Sequence, residues 1–484
     1  MKIIMNKFYF ITLLYIFTVI LAGCMVGPHF EKPEMALPDK YRFSEEQTGE
    51  IVNLKWWELF DDPVLYSLVN TALEENKDVR IAIARIEEAR AALGFTRADM
   101  FPFIDIDAAA TKGTFVGGRR SETTDSTAFV TPVLSWELDF WGKLRRATES
   151  SRADLLASAY ALRSTQISLI SEVVSTYYLL LDFKERLDIS QRTLKSRTDS
   201  LYIIKRRYEE GIIPELDVNQ AEIQKENAAT AIPVYKRLIA QTEDALSVLL
   251  GRFPSEIETG APLYSIKHTP DIPVGLPSSL LERRPDIIAA EYNFKSETEL
   301  IGVAVALRLP SINLTGSLGA ASSELSNITS EGFVWSVGAG LFGPILNFNK
   351  NISRVKLQEA RTKQALYEYE LTVLNAFREV SDSLSDIRNY KEQIESVKRK
   401  YKSAANAERL GKMRYDRGVS SYLEVLETER ALFDVEQELS QTTQQYYNSY
   451  VSLYKALGGG WISEQEELDS MDRKTGDAGT DVTE

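Results

Sequence analysis

The sequence predicts a mixed α/β membrane protein in which one unit, a strand pair set between long helices, is built twice. Three observations predict it. A pattern of Arg, Tyr, Gly, a β-branched residue, Leu, an acid and Val runs from Arg207 to Val218 and returns from Arg414 to Val425, offset by 207 residues. Two segments, one after Pro102 and one after Pro310, change from a helical period to strict alternation. From about Leu144 to Glu210 there is neither Pro nor Gly, and an apolar stripe at 3–4 spacing runs opposite charged residues. Such a segment at 1.5 Å rise makes a helix of roughly 100 Å, far longer than the three turns of an average globular helix.

Taken in order, the chain opens with Lys2 and Lys7 ahead of an apolar run from Phe8 to Ala22. A basic start and a short apolar core read as an export signal, because a spanning helix needs about 20 apolar residues. The run ends in Leu21-Ala22-Gly23-Cys24, which resembles a bacterial lipobox. That resemblance implies cleavage after residue 23, with S-diacylglycerol on the Cys24 thiol and N-palmitoyl on its new amino terminus. Cys24 is the sole cysteine, so a disulfide framework is excluded. Met25 stands where Asp would be an inner-membrane signal, and in such lipoproteins this implies the outer membrane.

Residues 24–64 form an N-terminal segment that begins Pro-rich and ends in Trp56-Trp57-Glu58-Leu59-Phe60-Asp61-Asp62-Pro63. A helix follows, with Leu65, Leu68, Val69 and Leu73 at 3–4 spacing, continuing through Ile81, Ala84, Ile86 and Ala89 until Pro102 stops it. Ile104, Ile106 and Ala108 then alternate with Asp105 and Asp107, and Leu134, Trp136, Leu138 and Phe140 alternate with Ser135, Glu137 and Asp139. These are two strands of about ten residues within 102–141, joined by a polar loop from Gly113 to Ser126. The long helix, a tip at 207–218 and a returning helix ending near Gly251 complete a first repeat over 65–260. At the tip, Gly211 suits the left-handed cap and Pro214 the start of the next helix.

A Pro- and Gly-rich linker, 261–277, leads to a second repeat over 278–460. Its hairpin lies at about 310–347, its long helix at Arg354–Arg417 and its tip at 414–425. The motif pairs Leu250-Gly251 and Leu457-Gly458 keep the offset of 207, so one register holds across the chain. Residues 461–484 are acidic and read as a disordered tail.

The hairpins decide the physical class. A strand with an apolar and a polar face is the unit of a membrane barrel, and a sheet edge cannot face lipid. Four strands fall short of the eight with which bacterial barrels begin, so copies must share one barrel: two would give eight strands and three would give twelve. The competing reading is a small water-facing β domain, which duplicated hairpins between such long helices disfavour. The helices carry Lys, Arg, Asp and Glu throughout, so they extend into water rather than lipid. A formal charge of −14 argues against nucleic acid. Only two histidines, His29 and His268, occur, both in irregular segments without ligand neighbours or a catalytic motif. Gly338-Ala339-Gly340-Leu341-Phe342-Gly343 has dinucleotide spacing, but it falls on a predicted strand followed by Pro344, where no helix opens.

With these residues in hand, the sequence resembles the outer-membrane efflux lipoproteins of the TolC superfamily, in the OprM-like branch. The resemblance rests on the Cys24 lipobox, the Trp57–Pro63 motif, Glu282-Arg283-Arg284-Pro285-Asp286-Ile287, Arg308-Leu309-Pro310-Ser311-Ile312, Arg414-Tyr415 with Gly418-Val419, and Leu453–Trp461. It implies a homotrimer with a twelve-strand barrel, a twelve-helix periplasmic tunnel and a closed tip. It also implies a periplasmic adaptor and an inner-membrane pump of the resistance-nodulation-division type, with the chain as their passive exit duct, no enzyme and no cofactor beyond the lipid. In that family Leu, an acid and Arg after the second tip hold the aperture shut, and the matching positions are Leu423, Glu427 and Arg430. Glu427 replaces the family's usual Asp. Arg414, Tyr415 and Asp217 are further lock candidates; the bland reading of each is a solvated helix-end group. Arg207 and Tyr208 are expected to pack or to meet the adaptor. An outlet for type I secretion or a major-facilitator pump stands as an alternative, as does a non-conducting coiled-coil scaffold.

Overall fold

A computed structural model describes residues 25–43, 62–116, 119–265, 280–281, 283–323, 328 and 333–459, with backbone alone at 114–116 and 119–125. The signal segment, Cys24, Trp56–Asp61, most of the linker, His268, Glu282 and the tail lie outside the described residues. The elements are α1 (Pro63–Glu75), α2 (Lys77–Ala98), β1 (Phe103–Val116), β2 (Arg119–Leu138), α3 (Lys143–Glu209) and α4 (Glu215–Leu249). After a short 3-10 turn at Leu263–Ser265 come α5 (Pro285–Ala306), β3 (Ser311–Ser322), β4 (Phe333–Phe342), α6 (Lys350–Asp416) and α7 (Tyr422–Ala456). Helices α3 and α6 each have 67 residues, and α4 and α7 each have 35. Corresponding helices start 207 residues apart, at Lys143 and Lys350 and at Glu215 and Tyr422. Among the described residues no helix is long and apolar enough to cross a membrane.

The chain divides into two compact units. The first comprises 84–160 and 289–371 with the N-terminal segment up to Glu34, and it holds the sheet. The four strands run antiparallel in the order β1-β2-β3-β4. Ile104, Leu134, Gly316 and Val337 share one row, because Ile104 pairs with Leu134, Leu134 with Gly316 and Gly316 with Val337. The faces separate as alternation demands: Leu314, Leu318, Trp335 and Leu341 join this row, while Asp105, Ser135, Thr315 and Ser317 fall on the other. The apolar face is open, with Ile106 76%, Trp335 70% and Val337 81% exposed. An exposed apolar face of this width marks a lipid or partner surface.

Two expectations about the hairpin are corrected here. The polar stretch Gly113–Ser126 is largely strand, since β1 runs to Val116 and β2 starts at Arg119. The ladder is made by backbone groups, and these continue past the end of the apolar face, with a register shift between Gly113 and Phe115. The strands of the first hairpin therefore reach 14 and 20 residues, and Phe140 lies beyond the end of β2. The glycine-rich stretch at 338–343 begins on β4, and the next helix opens only at Lys350.

The sheet passes into the helices through turns the sequence specifies. Asp139 accepts the Leu144 and Arg145 amides at 2.8 and 2.9 Å, capping α3. Gly142 has φ +75°, and its counterpart 207 residues on, Asn349, has φ +67°. Asn is the residue best able to replace Gly in that conformation.

The second unit, with described residues 35–43, 62–83, 161–265, 280–281, 283–288 and 372–459, holds the larger core. Leu65 and Val69 of α1, Val173, Tyr177 and Leu180 of α3, Leu246 of α4 and Val451 of α7 meet there. Tyr177 donates its hydroxyl to Asp62 at 2.6 Å and accepts the Gly260 amide at 2.8 Å. Asp62 also caps α1 through the Val64 and Leu65 amides. The predicted single N-terminal helix is also corrected: it is broken at Asn76. Asn76 accepts the Asp78 and Val79 amides and donates to the Leu249 carbonyl at 2.9 Å. One side chain thus starts α2 and ties it to a helix end 173 residues away in the chain.

Candidate functional site

The two tips lie in the second unit and share one backbone. Gly211 has φ +72° and Gly418 φ +71°. Gly211 and Ile212 donate to Tyr208 and Arg207 carbonyls, and Gly418 and Val419 donate to Tyr415 and Arg414 carbonyls, all at 2.8–3.0 Å. This is the paired closure that ends a helix on a left-handed residue. Pro214 and Ser421 then occupy the cap positions of α4 and α7 with φ of −76° and −78°. Pro214 is therefore the cap itself, one residue before the helix, where its missing N–H costs nothing.

The tips part company in their side chains. The first residue of α4 is Glu215, which is exposed, whereas its counterpart Tyr422 is buried. Tyr422 joins Leu201, Ile204, Val218, Ala221, Val425 and Leu426 in a small core. Burial, followed by the nearby Glu429 carboxylate, holds its phenol well above the ordinary range. The Tyr415 ring lies 5.3 Å from the Tyr422 ring, and the Arg207 guanidinium of the first tip lies over it at 4.9 Å. Arg207 also stands 3.7 Å from Asp416. So Arg207 packs, and it packs on the second tip. The Tyr415 hydroxyl is buried with no hydrogen-bond partner among the described residues.

The other lock candidates face outward. Leu423 is 55% exposed. Glu427 and Arg430 pair at 2.8 Å along one helix face, each side chain 57% exposed. Arg414 pairs with Glu424 at 2.8 Å, again exposed. Burial alone raises the Asp217 carboxyl above its usual range. The structure brings Arg414 and Glu424 together, turns Tyr415 to Tyr422 and Arg207 instead, and sets Glu427 and Arg430 one turn beyond. Exposed pairs of this kind contribute about 0–1 kcal/mol, so they are free to exchange partners at little cost. The Tyr415–Tyr422–Arg207 stack is not.

Behind the tips lies a charged layer that the repeat pattern did not disclose. A cavity of about 180 Å³ is lined by Arg192 and Arg197 of α3, Glu408 and Lys412 of α6, and Glu429 and Glu436 of α7. Lys412 bridges Glu408 and Glu429 at 2.5 and 3.1 Å. Arg197 is 2% exposed, donates to the Gln224 carbonyl at 2.7 Å and lies under the Phe433 ring at 5.1 Å. Burial lowers its pKa, with Glu429 opposing that effect. The only sequence signal was a run of charges, which resembles an ordinary solvated face.

With this geometry described, comparison with known proteins is informative. The model of the outer membrane efflux protein family matches the chain twice, over residues 68–252 and 276–459. The solvent efflux pump outer membrane protein SrpC of Pseudomonas putida is 34% identical over 459 residues, covering 92% of this chain and 97% of that protein. The probable outer membrane lipoprotein SilC of Salmonella typhimurium is 34% identical over 453 residues, covering 92% of this chain and 97% of its own length. The solved outer-membrane channel OprN superposes with a TM-score of 0.84 at 30% identity, over 90% of this chain and all of that one.

Proposed function

The chain belongs to the outer membrane efflux protein family, and from that premise we propose that three copies close one channel whose inner end is locked by the second tip. The chain is an outer-membrane exit duct of an efflux pump, reaching from the outer membrane into the periplasm. The sheet order carries the trimer. β1 and β4 are free edges of a four-stranded sheet with one apolar face, and three such sheets close a twelve-strand barrel with no edge left to lipid. The lumen of a twelve-strand barrel is wider than the eight-strand one that side chains fill.

The conduit is passive. An inner-membrane pump, of the resistance-nodulation-division type in this reading, supplies the energy, and a periplasmic adaptor joins it to the tips. Cys24 carries the diacylglycerol and palmitoyl anchor; the likeness to a relative named as a lipoprotein supports this. The cargo is drugs or other small molecules; relatives are named for solvent efflux and for cation efflux.

The lock is assigned to Leu423, Glu427 and Arg430, with Arg414 and Asp217 flanking. Six tips meet in a trimer. The first tip of each chain carries the exposed Arg206–Glu209 pair and the second carries Arg414–Glu424 and Glu427–Arg430; the second is chosen because the positions that match the family's lock fall on it. In the closed ring, Glu427 and Arg430 exchange their weak local pairing for contacts with the neighbouring copy. The double variant E427A/R430A, reconstituted in planar bilayers as full-length protein, is expected to show higher single-channel conductance than the parent. Unchanged conductance overturns the lock assignment while leaving the channel reading intact.

A further inference from the structure

Residues 25–27 lie in a track cleared by three glycines. A side chain on Gly142 would meet the Met25 side chain at 2.8 Å. One on Gly27, whose φ is +96°, would meet the Gly302 Cα at 2.5 Å, and one on Gly302 would meet the Val26 carbonyl at 2.8 Å. Val26 donates to the Trp141 carbonyl at 3.2 Å. The track is then closed by Arg146, which is 1% exposed. Its Nη1 donates to Glu299 at 2.5 Å, its Nε to the Val26 carbonyl at 3.3 Å and its Nη2 to the Gly27 carbonyl at 3.4 Å. Further along, Phe30 packs edge-on against Phe294 at 5.5 Å and Lys32 pairs with Glu291 at 2.7 Å.

A buried guanidinium is costly to desolvate unless its donors are satisfied, and here two of its three nitrogens donate to the backbone of one extended segment. That arrangement reads carbonyls rather than side chains, so it holds the segment whatever its sequence, provided the glycines leave room. The receiving residues, Trp141, Gly142 and Arg146, sit where β2 gives way to α3. Trp141 lines one cavity with Phe342 and Pro344 at the end of β4, and Ile345, Leu346 and Phe348, which follow in the chain, are 102%, 76% and 89% exposed. Aromatic and apolar residues at such a strand end belong at the membrane–water boundary.

We propose that Arg146 is a latch that fixes the N-terminal segment at the foot of the barrel, so that the lipid next to Met25 enters the membrane at the level where the barrel must insert. The latch couples anchoring to insertion. This rests on the reading of Cys24 as lipidated, and the experiment separates the two.

Full-length protein carrying R146M is expected to take up labelled palmitate as the parent does. Its Val26 and Gly27 amides should exchange with solvent about tenfold faster or more, the ratio expected for losing a charge-assisted hydrogen bond. Pulse–chase should show slower arrival of its heat-modifiable outer-membrane form. In a C24S background exported through a non-lipoprotein signal, R146M should slow arrival no further. G302A, which retains the guanidinium but crowds both the Val26 carbonyl, at 2.8 Å, and Arg146 Cγ and Nε, at 2.9 Å, should reproduce the faster exchange if R146M fails to accumulate. Equal slowing by R146M with and without the lipid overturns the coupling and leaves Arg146 a packing residue. Unchanged exchange at Val26 and Gly27 in both variants overturns the latch. A parent that takes up no palmitate refutes the lipid reading, and with it the coupling, while the exchange rates still decide the latch.

Discussion

At the scale of single residues, the tips separate backbone demands from side-chain demands. Gly211 and Gly418 have no atom within 4 Å of where a Cβ would stand, so only their left-handed φ requires glycine. G211A and G418A should each destabilise by about 1–2 kcal/mol without disturbing neighbours, read as a lower denaturation midpoint in detergent. Tyr415 is the opposite case, valued for its ring. Because its buried hydroxyl has no hydrogen-bond partner among the described residues, Y415F should leave stability unchanged or raise it slightly. Y415A should cost about 3 kcal/mol, by stripping the contact with Tyr422 and the cover of Arg207. A Y415F variant as unstable as Y415A would show that the hydroxyl has a partner in the assembled channel.

At the scale of elements, what could be read from sequence followed from period and what could not followed from long-range contact. The 67-residue helices were visible because a 3.6-residue stripe running so far has no other explanation. The break between α1 and α2 was hidden because Asn76 acts there through the Leu249 carbonyl, a partner no local window contains. The strands outran their apolar alternation because polar residues sustain a backbone ladder equally well in water. The tips were legible as a repeat and Leu423, Glu427 and Arg430 were named only through the family resemblance, whereas the stack of Arg207 on Tyr415 required the fold.

The charged layer between α3, α6 and α7 makes a further prediction at this scale. Glu436 of α7 is raised by burial first, then by Glu185, Glu408 and Asp188, with Arg192 opposing. Glu185 of α3 is raised by burial, then by Asp188 and Asp182, with Arg192 again opposing. A carboxyl raised in the folded state favours folding when protonated, so its contribution is complete below the unfolded value of 4.5 and is lost as pH rises through the folded one. The helical layer should therefore be more resistant to thermal unfolding at pH 5 than at pH 7.5. E185Q and E436Q should each flatten that slope, and a slope unaltered by both would assign it to other carboxylates.

At the scale of the whole molecule, duplication is what makes a shared barrel possible. Each repeat supplies one hairpin, and β2 pairs with β3 to join the two into one sheet. The count of strands then sets the assembly, since three copies of four strands reach twelve while three copies of two reach only six, below the smallest bacterial barrel. A chain lacking residues 311–342, with Leu309 and Pro310 joined to the turn before α6 through a short Gly-Ser linker, keeps every long helix and both tips. It also loses the partner edge of β2, leaving two backbone edges per hairpin that cannot be closed in lipid. Such a chain should be exported yet yield neither a heat-modifiable form nor conductance after reconstitution. Its helices should still give the parent's helical circular dichroism per residue, because their cores in the second unit do not draw on the deleted strands. Stable channels from the deleted chain would mean that closure does not depend on the four-strand sheet, and would remove the physical basis for the trimer.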